Sequence, residues 1–389
     1  MVTVRGTGLR GGTWRRGNAI AITAASMSVL LGFSALAVDV GMLYNVRTEL
    51  QRTADAAALA AAYGLLDEHR LKGSPNYSAE LSAARAAAQS IAVLNPVRNA
   101  GPQVLADDVR IGYLNNSRGL SEPIDFNNPA QYNTAEVIVR RDNAANGPVQ
   151  LLFARIFGRN TANVTATAAA SLKDGVVGYK VTSKTGNAEL MPLALHVNAW
   201  NNLLSRARTA GDGYAYNPDT GTVSSGSDGI FELNLYPGSG GTQLPPGNLG
   251  TVNIGTSNNS TSHLSSQIRY GVTAQDLAFH GGELKLGPNG TLILTGDPGL
   301  SAAIKDDLEA IKGKPRSIPL FRQVSGPGNN AQFTIVGFAG VRILDVRLTG
   351  KMDAKRVIVQ PAFVVDDAVI TEAGSGPSFF VYAPIRLVR

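Results

Sequence analysis

The sequence predicts an α+β fold in which one long N-terminal helix is followed by a module of helices and strands and then by a β-rich region. Two patterns near the start indicate the long helix: an uncharged apolar run from Ala19 to Val38, and an alanine-rich stripe at helical spacing after it. In residues 173–389, short alternating segments separated by Gly, Asn, Ser and Pro indicate strands. The chain of 389 residues is long enough for two folded units besides the helix.

The apolar run has the length of a membrane-spanning helix. At about 1.5 Å of rise per residue, Ala19 to Val38 extends roughly 30 Å, the thickness of the hydrocarbon core of a bilayer. We therefore predict a transmembrane helix over residues 19–40, in contact with the lipid bilayer.

The charges on either side of the run predict its orientation. The first acidic residue of the chain, Asp39, lies directly after the run, and the charged residues before it are all arginines: Arg5, Arg10, Arg15 and Arg16. The positive-inside rule then predicts that residues 1–18 form a basic tail in the cytoplasm and that the chain after the helix lies on the outer side of the membrane.

A cleaved signal peptide is the alternative interpretation of the same region. The pair Arg15-Arg16, the apolar stretch and the sequence Ala35-Leu36-Ala37 match a signal peptide with an A-x-A cleavage site. The apolar run is longer than a usual signal-peptide core, and the helical pattern continues beyond the cleavage site, which favours a retained anchor. The mass of the mature N-terminus distinguishes the two.

The stripe after the apolar run predicts that the membrane helix continues as one rod. Its members recur at steps of three or four residues, and the charged residues fall largely off it; they are Leu43, Val46, Leu50, Ala54, Ala57, Ala61 and Leu65. A single helix from Ala19 to Leu66 would be about 70 Å long. The 3-4-4 spacing averages close to the period of the helix itself, so we expect the stripe to run almost straight.

Small residues in the membrane half predict a second contact surface. Ala24, Ser28 and Gly32 lie four residues apart, as do Ala37 and Gly41. Small residues at this spacing let another helix approach closely in lipid, although they are also simply common in membrane helices. We predict that these five positions and the stripe residues from Leu43 to Ala61 form a helix-packing interface.

The string RRGNAIAI…LLGFSALAVDVGMLYNVRTELQRTADAAALAAA carries a family resemblance. It resembles the N-terminal segment of TadG-like (TadE/TadG-type) proteins of the tight-adherence (Tad, or Flp) pilus system, with Leu50, Gln51 and residues 54–62 matching the "LQ-x-x-ADAAALAAA" motif. The resemblance implies a single-pass bacterial inner-membrane protein with a pilin-like anchor helix, whose partners are other pilus or pilin-like components. Processed prepilins carry Glu five residues after the cleaved Gly, whereas Ile22 stands at that distance from Gly17, so we do not expect processing by a prepilin peptidase.

Residues 41–172 are predicted to form a pilin-like helix-plus-sheet module. A second helix is expected over residues 79–94 and ends at Asn95-Pro96. Alternation of apolar and polar residues predicts three strands, over 109–114, 135–140 and 162–172. Gln150 to Phe157 has the pattern of a short amphipathic helix.

Residues 173–389 are predicted to form a β-rich extracytoplasmic domain in which helices are scarce. Its expected elements are long surface loops over 203–229 and 237–266, a β-hairpin over 283–294, a helix over 301–311, and strands over 333–336, 341–348, 357–360 and 379–382. This half also resembles the C-terminal region of a TadG-like subgroup, through the segments RSIPLF (316–321), FTIVGFAG (333–340) and VIVQP (357–361).

The sequence contains no pattern typical of an enzyme active site. There are no cysteines, which excludes thiol chemistry and disulfides, and neither Gly313-Lys314 nor Gly350-Lys351 completes a phosphate-binding loop. The four histidines are scattered singly, which disfavours a zinc site. The sequence contains no G-x-S-x-G or H-E-x-x-H motif either. We expect no enzyme activity, no cofactor, no metal, no small-molecule substrate and no nucleic acid, the last because the excess of positive charge is concentrated in the tail.

Two weaker candidates for chemistry have simpler interpretations. The loop that carries Asp212, Asn217, Asp219 and Asp228 has the oxygen ligands that Ca²⁺ prefers, but their spacing matches no EF-hand. The adjacent pairs Asp107-Asp108, Asp306-Asp307 and Asp366-Asp367 would point apart in a helix or strand, so solvated faces are favoured over a catalytic pair.

These patterns together favour a membrane-anchored structural or assembly component of a Tad/Flp-type pilus, acting in pilus biogenesis and adherence. The alternative is an adhesin-type module at the cell surface whose long Gly-, Asn- and Ser-rich loops recognise a glycan or another cell. Deletion distinguishes the two, because loss of pili supports the assembly role and intact pili with reduced attachment support the adhesin.

Overall fold

The protein has an α+β fold in which a long N-terminal helix is followed by a β-rich region, as predicted. The structure is a computed structural model that describes residues 15–115, 122–205, 211–237, 243–244, 247–255, 260–326, 328–351, 354–372 and 379–388. Residues 1–14 of the predicted basic tail therefore lie outside the described residues.

The first two helices are long and belong to the N-terminal part, whereas the later ones are short. In chain order they are α1 (Arg15–Tyr63), α2 (Tyr77–Leu94), α3 (Val197–Leu204), α4 (Thr261–Tyr270), α5 (Ala274–Ala278) and α6 (Lys305–Ala310). Short 3-10 turns occur at Glu68–Leu71, Ala106–Asp108, Pro129–Gln131, Ala154–Phe157, Ala302–Ile304 and Gly328–Asn330. The continuity of α1 confirms the prediction of a single rod.

The strands concentrate after residue 108 and vary widely in length. In chain order they are β1 (Val109–Gly112), β2 (Thr134–Arg141), β3 (Val149–Gln150), β4 (Thr161–Ala162), β5 (Val164–Lys173), β6 (Val176–Tyr179), β7 (Leu193–His196), β8 (Tyr214–Asn217), β9 (Thr222–Ser225), β10 (Leu233–Pro237), β11 (Gln243–Leu244), β12 (Leu249–Val252), β13 (Leu284–Lys285), β14 (Leu292–Asp297), β15 (Pro315–Ser325), β16 (Ala331–Arg347), β17 (Arg356–Pro361), β18 (Val364–Val365), β19 (Val369–Thr371) and β20 (Val381–Leu387).

The N-terminal part is two-layered, with α1 and α2 packed on a five-stranded sheet of order β1-β2-β5-β20-β18. The centre of the sheet is the antiparallel pair β2–β5, in register from Thr134 opposite Ser171 to Arg141 opposite Val164. The fourth strand, β20, comes from the C-terminal end of the chain and pairs with β5. We call α2, this sheet and the part of α1 that packs on them the head.

The C-terminal part is built on a sheet of order β11-β10-β17-β16-β14-β12-β7-β15 that closes on itself. Strand β15 pairs in parallel with β7 on one side and antiparallel with the long β16 on the other, so the pairing runs from β16 through β14, β12, β7 and β15 back to β16. Trp200 is fully buried against this sheet, with Phe379 and Phe380 edge-on to its ring. A three-stranded sheet, β13-β6-β19, and the hairpin β8–β9 complete this part.

The two parts meet through the segment that follows α1. The guanidinium of Arg342 on β16 forms two hydrogen bonds to the carboxylate of Glu68, one of 3.1 Å and one of 2.5 Å, and lies 3.4 Å from the centre of the Tyr216 ring. The Gly73 N–H donates to the Gly229 carbonyl at 2.9 Å. Strand β20 comes from the C-terminal end of the chain but belongs to the sheet of the head. The domain boundary predicted after residue 172 therefore stays a prediction.

Most predicted strands are present, but several local predictions were wrong. Gln150 to Phe157 is not an amphipathic helix, since Gln150 ends β3 and only Ala154–Phe157 forms a 3-10 turn. The predicted hairpin over 283–294 has its turn, but its strands separate: β13 pairs with β6, and β14 pairs with β12 and β16. The two arms therefore belong to different sheets, which local alternation cannot distinguish.

Two predicted loops are also wrong, and one predicted helix differs in type and length. The segment predicted as a loop over 203–229 contains the β8–β9 hairpin, and the segment over 237–266 contains β12 and the start of α4. The helix predicted over 301–311 is a 3-10 turn followed by the short α6.

Candidate functional site

The long helix α1 has two halves with opposite surroundings. Over Ala19–Val38 the side chains are exposed apart from a half-buried Ala35, and bulky ones such as Leu30 and Phe33 are 65% and 67% exposed. This part is long and apolar enough to cross a membrane, and the rest of the chain buries none of its most apolar stretch. An apolar surface of this size requires an apolar environment, and a bilayer provides one.

The outer half of α1 is the centre of the head core. Of the six predicted interface residues from Leu43 to Ala61, five are at most 1% exposed and Leu43 is half-buried beside them; the five are Val46, Leu50, Ala54, Ala57 and Ala61. They pack against α2 and against the sheet. These six residues therefore serve packing within the chain itself.

Small side chains explain how closely the two head helices approach. The facing residues on α2 are also alanines, Ala84, Ala88 and Ala92, each fully buried. At the end of α1, a Cβ added to Gly64 would lie 2.8 Å from the Ala84 Cα, which is closer than real Cβ contacts. The alanine-rich sequence is thus required by a helix pair that packs backbone against backbone.

The small residues in the membrane half have no such partner within the described part of the chain. Ala24, Ser28, Gly32, Ala37 and Gly41 are all exposed, and a Cβ added to either glycine would meet no atom within 4 Å. The first three share one side of α1, which we call the small-residue face, whereas Ala37 and Gly41 lie on the other side and further along. The Ser28 hydroxyl donates to the Ala24 carbonyl at 3.0 Å, so its polar group is satisfied inside the helix. The small-residue face is therefore available for close packing by another helix.

Asp39 marks the transition between the two halves. It is 2% exposed, and its carboxylate accepts three backbone hydrogen bonds: from the N–H of Leu152 at 2.8 Å, of Phe153 at 2.9 Å and of Ala154 at 2.6 Å. These donors lie at the start of the 3-10 turn Ala154–Phe157. In the sequence, Asp39 serves only to predict the orientation of the helix. Its position as a lone acid directly after an apolar run is the sequence signal that could have indicated its structural role.

A buried ion pair lies at the other end of the head. The carboxylate of Glu80 on α2 is 3.3 Å from the Arg70 guanidinium, which also donates to the Tyr132 and Ala130 carbonyls at 2.8 and 3.0 Å. Burial raises the pKa of Glu80 to about 7, against the opposing effect of the positive charge of Arg70. Burial likewise raises the pKa of the nearby Asp174. No sequence pattern indicates this cluster, because its members come from four separate segments.

Three of the four candidates for calcium binding, Asp212, Asn217 and Asp228, are engaged in local turns. The Asp212 carboxylate accepts from the Ser227 hydroxyl and from the N–H groups of Asp228 and Gly229, and Asn217 caps the turn of the β8–β9 hairpin. Across the part of the chain that the structure describes, no group of three His, Asp or Glu side chains is arranged to hold a metal ion. Asp108, Asp307 and Asp366 each have partners of their own, in Arg140, Arg269 and two backbone N–H groups.

Two protein-family models match the region that contains both halves of α1 and most of the head. Residues 17–64 match the family described as "Putative Flp pilus-assembly TadE/G-like", and residues 60–170 match the family described as "Putative Tad-like Flp pilus-assembly". Comparisons with curated proteins and with solved structures give no significant match. The resemblance seen in the N-terminal segment is thus confirmed, and residues 17–170 of this chain are similar to the TadE/G-like and Tad-like families of Flp pilus assembly.

Proposed function

We propose that the protein is a membrane-anchored structural component of Tad/Flp pilus assembly and that it has no enzymatic role. One observation carries the proposal: a single continuous helix presents a bare apolar half and buries its other half in the head, within the segment that the pilus-assembly families match. These families name an assembly role, and the continuous helix offers a mechanical way to perform it.

The proposed mechanism is rigid coupling between membrane and envelope. Because α1 runs without a break from Arg15 to Tyr63 and its outer half is clamped by the head core, a force on the head acts directly on the membrane segment. The arginines before the apolar run and Asp39 after it support a single pass of the bacterial inner membrane, with the N-terminus cytoplasmic and the head and C-terminal part periplasmic.

The small-residue face of the membrane half is the proposed contact with other pilus components. In lipid, where water expulsion contributes nothing between helices, close backbone approach drives association, and exposed Ala24, Ser28 and Gly32 permit it. Ile22, at the position where a prepilin would carry Glu, supports an uncleaved component that stays at the base of the pilus rather than a polymerised subunit.

Deletion of the gene, complemented by the wild-type chain or by variants, tests the assembly role. We expect the deletion strain to lose surface pili and the complemented strain to regain them, with the protein in the membrane fraction and not in sheared pili. Normal piliation in the deletion strain contradicts the proposal, and normal pili with reduced attachment support the adhesin alternative.

A matched pair of variants makes the test specific to the proposed face. Gly32→Leu adds bulk on the small-residue face, whereas Ser26→Leu adds bulk on the opposite side of the same exposed helix, next to Leu30 and Phe33. The first should fail to restore piliation and the second should succeed; failure of both would point to a general defect of membrane insertion.

A further inference from the structure

An exposed apolar cluster lies beside the point where α1 leaves its apolar run. It is formed by four side chains of one short loop, exposed by 59%, 39%, 79% and 76% respectively: Leu152, Phe153, Ile156 and Phe157. Single exposed apolar residues are ordinary, but four large ones within six positions form a patch of the kind that marks an interaction surface.

The loop is held firmly in a conformation that presents these side chains. The strand pair β3–β4 closes its base, and the Leu151 N–H donates to the Asn160 carbonyl at 2.9 Å. Within the loop, the N–H of Ile156 donates to the Phe153 carbonyl at 3.1 Å and that of Arg159 to the Ala154 carbonyl at 3.1 Å. The apolar side chains point outward from an ordered turn, so little conformational entropy remains to be lost on binding.

Asp39 fixes the height of this loop along the membrane helix. Its carboxylate accepts the N–H groups of Leu152, Phe153 and Ala154, and it directly follows the run Ala19–Val38. If that run fills the hydrocarbon core, the loop lies at the level of the lipid headgroups. On α1 itself, the exposed Tyr44 lies about 7.5 Å beyond Asp39, still within the interfacial layer where tyrosine is enriched in membrane proteins.

The charge of the loop matches a phospholipid surface. Between Asp142 and Lys173 the charged residues are Arg155 and Arg159, with no acid among them. Arg155 lies within the 3-10 turn, between the apolar pairs, and its guanidinium donates to the Gln150 side chain at 3.2 Å. Arginines that alternate with bulky apolar residues are typical of segments that lie in the membrane interface.

We propose that residues 151–159 form a membrane foot that inserts into the interfacial layer of the bilayer. The four apolar side chains enter the boundary between headgroups and acyl chains, and the two arginines pair with lipid phosphates. The foot gives the head a second attachment point beside α1, so that the head is held at a fixed height and cannot swivel freely about the helix. This inference rests on the proposed membrane anchoring of α1.

Depth-dependent fluorescence quenching of the full chain in lipid nanodiscs tests the foot. Because the chain has no cysteine, single cysteines can be placed and labelled one at a time. Ile156→Cys reports on the foot. Tyr63→Cys is the matched control, because Tyr63 is 68% exposed but ends α1, about 36 Å along the helix from Asp39. Val29→Cys reports independently on the membrane helix.

The nanodiscs contain phosphatidylcholine with a minority of phosphatidylglycerol, and the quencher is attached to lipid near the headgroup. An interfacial segment lies about 5–10 Å into the bilayer boundary, so we expect quenching at position 156 to exceed that at position 63 by about threefold or more. Adding Phe157→Ser and Leu152→Ser should reduce it to the level of position 63 without changing the thermal melting of the head, because both side chains are exposed.

The outcomes separate the foot from the anchor. Quenching at position 29 by an acyl-chain quencher, with none above the control at position 156, overturns the foot and leaves the anchor intact. No quenching at either position overturns the anchor, and the foot with it. A label at position 156 that is shielded in native membranes but not in nanodiscs shows a protein partner instead of lipid and also overturns the foot.

Discussion

The two halves of α1 have the same backbone conformation but differ in the burial of their side chains. The membrane half is rich in bulky side chains that no described part of the chain covers, whereas the outer half is rich in alanines that are completely buried. This contrast shows that apolar character alone does not decide burial, because Leu50 is covered by the head whereas Leu30 and Phe33 lie where no described part of the chain reaches them. Alanines let α2 and the sheet approach the backbone of the outer half, whereas the exposed apolar half is long and apolar enough to cross a membrane.

Truncating one leucine in each half probes this contrast with the largest expected effect. Leu50 is fully buried in the head core, so Leu50→Ala should lower the free energy of unfolding of the head by about 3 kcal/mol through lost burial and a cavity. Leu30→Ala removes the same atoms from an exposed position and should leave head stability unchanged. Chemical denaturation in detergent micelles measures both; equal effects would show that the halves do not differ as described.

The next largest effect is a pH dependence within the head. Because burial raises the pKa of Glu80 from 4.5 to about 7, the folded head binds more protons than the unfolded chain between those values. The free energy of unfolding should therefore fall as the pH rises from about 5 to about 8, by at most about 3 kcal/mol from this group.

Glu80→Gln isolates that contribution because it removes the titrating group and keeps a similar shape. Denaturation at several pH values should show that the wild-type slope is reduced in the variant. Other acids whose pKa burial raises, such as Asp174 and Asp366, remain in both proteins and cancel in the difference. An identical slope in the two proteins would refute the assignment to Glu80.

Removal of the Asp39 carboxylate tests the junction between the halves. Asp39→Ala leaves three backbone N–H groups without their acceptor, and we expect a local loss of roughly 1–3 kcal/mol. Hydrogen exchange at residues 152–154 should accelerate by about tenfold or more, whereas exchange in β2 should stay unchanged. Asp39→Asn keeps one carbonyl oxygen and should give an intermediate rate; unchanged exchange in both would exclude the clamp.

The smallest effect concerns the membrane half. A photoreactive residue at position 28 should crosslink α1 to its partner helix. Gly32→Leu should reduce the yield of this crosslink by up to about tenfold, because the added side chain prevents close approach of the partner helix. Ser26→Leu, on the opposite side of the helix, should leave crosslinking unchanged. Equal crosslinking in both variants would exclude the small-residue face as an interface.

Much of the helical architecture could be predicted from sequence because its signals are local. The run from Ala19 to Val38 and the stripe through Leu50 and Ala57 encode one helix, and the break at Asn95-Pro96 correctly ends α2. The stripe predicted a packing face but not its partner, because the same periodicity suits a helix in a neighbouring protein and α2 of the same chain.

The topology of the sheets could not be predicted, because it depends on contacts between distant segments. Nothing in the local pattern of β20 indicates that it pairs with β5, about two hundred residues earlier in the chain. The same holds for β13 and β14, which are adjacent in sequence and enter different sheets. The segment of the proposed foot was detectable in part, since the amphipathic pattern of residues 150–157 is present but belongs to a strand end and a 3-10 turn instead of an α-helix.

Single-cysteine labelling in spheroplasts decides whether α1 crosses the membrane once and carries the head outside. Thr3→Cys lies before the apolar run, and Ser183→Cys is exposed on the C-terminal part. With a membrane-impermeant maleimide, we expect Ser183→Cys to be labelled in intact spheroplasts and Thr3→Cys to be labelled only after lysis. Labelling of Thr3→Cys in intact spheroplasts, or its absence from the lysed protein because the N-terminus has been cleaved, would contradict this topology.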